Sequence, residues 1–140
     1  MNPRVSVGLE FNLAADEVTP TANWIIHPET KSAPMISAGT SSDRIFSSPG
    51  NQAYYVTFAK GIPGTPFSPY FGVSYSEFED KLLYPMGMNV SLRPDLDFLP
   101  MYDGREWHLL LTKLTPKVNY TLMMVKLSDP TWGISIGFGF

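Results

Sequence analysis

The closing segment, from Trp132 to Phe140, alternates without exception between a bulky apolar residue and a small one. Trp132, Ile134, Ile136, Phe138 and Phe140 fall on one side of an extended chain, and Gly133, Ser135, Gly137 and Gly139 on the other. A period of two is the signature of a β-strand, whose successive side chains point to opposite faces. A strand of a soluble sandwich normally carries larger or charged residues on its second face. A face made only of Gly and Ser suits a strand whose bulky side meets lipid and whose small side meets a barrel interior, with aromatics at the interfaces.

The rest of the chain repeats the pattern. The 13 prolines and 11 glycines interrupt any helical period. From Val5, the residues Val7, Leu9, Phe11 and Leu13 alternate with Ser6, Gly8, Glu10 and Asn12. Further strands are predicted at Pro34 to Ile45, Gln52 to Gly61, Phe67 to Phe78, Leu82 to Arg93, Arg105 to Leu114 and Val118 to Leu127. With the closing segment this makes about eight strands of roughly ten residues, the smallest size of a closed antiparallel up-and-down β-barrel of transmembrane type. The 140 residues are read as a single β-barrel domain, with the alternative that they form the C-terminal part of a larger barrel.

The predicted connections at 14–33, 62–66, 94–104 and 128–131 then share one end, and those at 46–51, 79–81 and 115–117 the other, so longer loops alternate with shorter turns. Within 14–33, the apolar run Trp24, Ile25 and Ile26 suggests packing over the barrel mouth, insertion into the outer leaflet, or a further short strand. The loop from Pro94 to Gly104 mixes acidic and aromatic residues and reads as a solvated loop with Asp103-Gly104 as a turn. Lys60, Glu77, Arg105, Lys113 and Lys126 stand outward only at strand ends, where long side chains reach an interface.

Composition agrees with this class. The chain is 44% hydrophobic and 14% aromatic but only 16% charged, below the roughly 25% of soluble domains. A net charge of −3 with scattered Lys and Arg lacks the footprint of a nucleic-acid binder. Without cysteine, thiol chemistry and disulfides are excluded. No apolar run reaches the length of a membrane helix, and no leader opens the chain, so the barrel reading expects the export signal to lie outside these residues.

The residues Ile134, Ile136, Phe138 and Phe140 resemble the carboxy-terminal signal of Gram-negative outer-membrane β-barrel proteins, which ends in an aromatic preceded by apolar residues at alternate positions. The resemblance covers only the last strand. It implies residence in the bacterial outer membrane, contact with outer-membrane lipid, and recognition by the barrel-assembly machinery. No cofactor and no nucleic-acid partner is expected, and no external partner is identified.

Parity places Glu10, Asn12, Asn89, Arg93, Glu106 and His108 inward, with Arg93 and Glu106 expected on neighbouring strands. Buried charges of opposite sign require each other, so these residues are read as a polar network that plugs the interior and fixes strand register. A catalytic reading would centre on His108, because lipid A-modifying barrels place a His, a Ser and an acidic residue near the membrane surface. His108 is followed by Leu109 and Leu110, and no serine stands two residues away. Glu106 could orient the imidazole, but a nucleophile would have to come from another strand, such as Ser74 or Ser91. No metal site is expected, since His27 lies apart beside Pro28 and Glu29. The expected function is a structural, adhesion or surface-interaction role. A soluble lipocalin-like barrel, with the apolar face turned inward around a small ligand, is the alternative.

Overall fold

A computed structural model describes residues 4–12, 17–43, 50–116, 118–125 and 128–138; the side chains of 10–12, 17, 125, 131 and 133–138 lie outside the description. The chain is all-β, with no helix among the described residues. Among the described residues there are eleven strands: β1 (Val5–Asn12), β2 (Glu17–His27), β3 (Met35–Ser42), β4 (Gln52–Ala59), β5 (Phe67–Ser76), β6 (Lys81–Leu83), β7 (Met86–Arg93), β8 (Leu96–Tyr102), β9 (Trp107–Lys113), β10 (Val118–Val125) and β11 (Thr131–Phe138). Hydrogen bonding follows the order β1-β2-β3-β4-β5-β7-β8-β9-β10-β11, with the short β6 on β5. The pairs whose register is described are antiparallel.

The expected count of about eight is therefore corrected to ten strands along the ladder. The two additions are β2, inside the segment expected as the connection 14–33, and β8, inside the expected loop 94–104. Each carries a proline, Pro20 opposite Leu9 and Pro100 opposite Leu109. Proline removes a ladder donor and hides a strand from a pattern search. Pro20 precedes Ala22, where the pairing of β2 with β3 begins, so its missing N–H costs no described bond there. The predicted strand Leu82 to Arg93 divides into β6 and β7 at Tyr84 and Pro85.

An added strand inverts the sense of the strands after it, so the expected loop ends are also corrected. The chain divides into two compact units, Met1–Ala59 with Gly72–Tyr84, and Lys60–Phe71 with Pro85–Phe140. In the first, the end of β3, the start of β4 and the turn 77–80 share one end, where Glu77 N donates to Gln52 O at 3.1 Å. In the second, 60–66, 94–95 and 114–116 share one end, where Leu114 N donates to Asp95 O at 2.9 Å, while 103–106 lies at the other. The predicted contrast of longer and shorter loops does not survive this reassignment.

Burial runs opposite to that of a soluble domain. Among the described residues, the buried hydrophobics are Ala53 and Leu83, whereas Thr19, Ser37, Asp43, Ser74, Ser76 and His108 are buried polar residues. Val7 is 80% exposed, Leu9 63%, Trp24 53% and Trp132 62%. Strand β4 shows the alternation clearly, with Tyr54, Val56 and Phe58 exposed and Ala53, Tyr55 and Thr57 more covered. In the second unit, Phe67, Val90, Phe98, Leu111, Leu122 and Ile134 stand opposite one another across six successive strands of the ladder. Chain alternation and cross-strand register thus assemble single apolar residues into a continuous band.

Candidate functional site

The polar chemistry concentrates on the covered faces and at the loop ends they lead to. In the first unit, one row reads Ser6, Asn23, Gly39 and Tyr55 across β1 to β4. Tyr55 lies over Gly39: an added Cβ there would stand 2.3 Å from Ala22 O and 2.6 Å from the Tyr55 hydroxyl oxygen. Glycine is required because no side chain fits beneath the ring. The Tyr55 hydroxyl then donates to Asn23 Oδ1 at 3.4 Å.

At the end of this face Asp43 gathers donors. Its Oδ2 accepts from Ser76 Oγ at 2.7 Å and from Phe78 N at 2.7 Å, and Ser76 Oγ accepts from Glu79 N at 3.0 Å. Ser76 is fully buried and Asp43 is 6% exposed. Beside them, Glu77 accepts from Gln52 N at 2.9 Å and from the Tyr54 hydroxyl at 3.1 Å. A carboxylate with several donors satisfies orphan backbone amides of the turn, which are costly to leave unpaired. This cluster clamps the turn 77–80 to β4, and sequence reasoning misses it. Its one local signal is a Ser followed by acidic residues.

The second unit repeats the arrangement with one change. The row is Tyr70, Gly87, Met101 and His108 across β5, β7, β8 and β9. Tyr70 covers Gly87, where an added Cβ would stand 2.7 Å from Tyr70 Cε1 and 2.7 Å from Pro100 O. His108 is 6% exposed, and its Nε2 lies 2.9 Å from Asp103 Oδ2. An ionised carboxylate only accepts, so Nε2 carries the proton in this contact. Asp103 Oδ1 also accepts from Arg105 N at 2.7 Å and Glu106 N at 2.8 Å. Burial acts to raise the Asp103 pKa, but the His108 bond and the two amides outweigh it and hold the carboxyl below its ordinary value.

The expected network is thus only partly assembled. His108 is where parity puts it, but Asp103, expected as a solvated turn residue, orients its imidazole instead of Glu106. Glu106 lies in the turn before β9 and accepts from Ser128 Oγ at 3.0 Å. Asn89 is half-covered opposite Ser68 on β5. Arg93 is corrected on two counts. Strand β8 separates β7 from β9, so Arg93 and Glu106 are not on neighbouring strands. A register shift between Ser91 and Arg93 pairs Arg93 with Leu96, which turns it to the exposed face. One extra residue in a strand reverses the parity of every later position in it. Glu10 and Asn12 pair through their backbones with Thr19 and Glu17, and Ile134, Ile136 and Phe138 with Leu122, Tyr120 and Val118. Phe140 lies outside the described residues.

The pair Asp103–His108 could orient a general base, but neither expected nucleophile stands in its row. Ser74 belongs to the other unit, and Ser91 stands in the row of Asp97, Thr112 and Thr121. That row is four residues along the strand from His108, about 14 Å at the usual rise. The row between them holds Leu99, Leu110 and Met123 and reaches Asn89 and Ser68 on β7 and β5, with no histidine or carboxylate. Among the described residues no three His, Cys, Asp or Glu side chains are grouped to hold a metal. His27 instead places Nδ1 3.3 Å from Pro34 O.

Comparisons with protein-family models, curated proteins and solved structures give no match.

Proposed function

We propose that this chain is a small outer-membrane β-barrel of ten strands, with a structural, adhesion or surface-interaction role. The observation that carries the reading is the reversed burial: Val7, Leu9, Trp24, Phe58, Leu122 and Trp132 are exposed, while the covered faces hold Ser37, Ser74, Ser76 and His108. In water such a surface would be a severe aggregation liability, and in hydrocarbon it is the favourable one. Closure follows from the same solvent, because unpaired strand edges cost several kcal/mol per amide in lipid. The resemblance of Ile134 to Phe140 to the assembly signal adds direction: it puts the end of β11 on the periplasmic side and makes the barrel-assembly machinery a partner.

Ten strands leave a wider interior than eight. The soluble lipocalin-like alternative requires large apolar side chains around an enclosed cavity, and the exposure of β1, β4 and β7 runs against it. A lipid A-modifying activity lacks a serine beside His108. The test is refolding into detergent micelles followed by gel electrophoresis with and without heating. The unheated protein is expected to migrate as a compact species that boiling abolishes. Solubility without detergent and one unchanging band would overturn the proposal.

A further inference from the structure

The exposed face of the second unit is not uniformly apolar at its edge. At the end formed by 94–95 and 114–116, the row beyond Phe98, Leu111 and Leu122 consists of Arg93, Leu96, Lys113 and Tyr120, directly opposite one another. Between these two rows lies a groove of about 280 Å³, lined by Leu96, Leu111, Lys113, Tyr120, Thr121 and Leu122. Two residues along a strand span about 7 Å, so the groove runs that far from a polar rim into the apolar band. The rim holds two cations and one anion, since Lys113 Nζ donates to Asp95 Oδ2 in the adjoining turn. An ammonium has three donors, so this bond fixes Lys113 in place and leaves donors free for a second acceptor.

Resting on the membrane-barrel reading, we propose that this groove seats an acyl chain of an anionic glycerophospholipid, with the lipid phosphate held by Lys113 and Arg93. The charge and the depth fit one another. A phosphate at the interface meets a net positive rim, and the first methylenes of its chain lie along Leu111 and Leu122. Arg93 is exposed and stands opposite Leu96 in the row of Lys113, a register that the shift before it sets. Guanidinium and ammonium together give phosphate both a planar fork and a point charge. In the orientation implied by the closing strand, this rim faces the periplasmic leaflet, where phosphate-bearing phospholipids are found.

The experiment is native mass spectrometry of the refolded chain in zwitterionic micelles, titrated with phosphatidylglycerol or with phosphatidylcholine of the same chains. One phosphatidylglycerol should be retained per chain, at least fivefold more readily than phosphatidylcholine. Arg93→Gln with Lys113→Gln should remove that preference. Leu122→Ser should weaken retention of both lipids, and Lys81→Gln, in the other unit, should change nothing. Equal retention of the two lipids, or a preference that survives loss of both cations, overturns the site. Heat-modifiability of each variant is read in parallel: a normal shift without lipid preference defeats the site alone, and absence of any shift defeats the barrel and the site with it.

Discussion

The two compact units place a tyrosine over a cross-strand glycine in the same way, yet they finish the surrounding polar cluster differently. In the first, Tyr55 over Gly39 leads to Asn23, and the carboxylate at the strand end, Asp43, is satisfied by the Ser76 hydroxyl and the Phe78 amide. In the second, Tyr70 covers Gly87 in the row that ends at His108, and the carboxylate Asp103 takes an imidazole along with two amides. The covered face of the first unit carries hydroxyls at Thr19, Ser37 and Thr57. That of the second mixes His108 with Leu99, Leu110 and Met123. One steric device therefore supports two kinds of cap, the second of them able to respond to pH.

The comparison breaks most severely at the glycines. Gly39→Ala brings Cβ against backbone at Ala22 O and should lower stability by about 3 kcal/mol, the upper part of the usual range for overpacking. Gly87→Ala meets its obstacles at 2.7 Å and should cost about 2 kcal/mol. Gly8→Ala is the control, since its nearest contact is the Thr21 side chain at 3.1 Å. Urea midpoints of the refolded proteins order the three, and a Gly39→Ala midpoint equal to that of Gly8→Ala would refute the ring-over-glycine argument.

Next in size is the cap of the first unit. Asp43→Ala removes the acceptor that the buried Ser76 hydroxyl and the Phe78 amide share, at a cost of about 2 kcal/mol by the usual penalty for lost buried hydrogen bonds. Hydrogen exchange at Phe78 and Glu79 should accelerate together, and protection unchanged at both amides would refute the clamp. For the second cap the effect depends on pH. Because the Asp103 carboxyl is held below its ordinary 3.8, its contribution is complete above that pH and lost as the pH falls through the lowered folded value. Asp103→Asn should therefore flatten the acid limb of the stability curve. An acid limb as steep as that of the unaltered chain would locate the titration elsewhere. The smallest change belongs to Asp95→Asn: the pair with Lys113 is solvent-exposed, and its removal should leave the urea midpoint unmoved at physiological salt.

Most of this architecture is legible in the sequence where alternation is undisturbed. The predicted strands at Val5, Gln52, Phe67, Arg105, Val118 and Trp132 each overlap an observed strand to within a few residues at their ends. Strands β2 and β8 resemble loop in sequence, because Pro20 and Pro100 suggest breaks and β8 is flanked by Pro94 and Asp103-Gly104. Local composition does not reveal that neighbouring strands accept both prolines. Of the site, His108 is legible from parity alone. Asp103 is not, since a turn residue has no parity, and its role comes from Oδ1 capping the turn while Oδ2 faces the imidazole. Parity misplaces Arg93 because a one-residue shift leaves no trace in the types of residue around it.

That shift has an evolutionary consequence. An insertion in mid-strand would turn every later position to its opposite surroundings, but this one is succeeded at once by the hairpin Pro94-Asp95 and affects a single side chain. The rest of the hairpin is shielded from it. Descendants of this chain could gain or lose the guanidinium at that spot without renegotiating the pairing of any other strand.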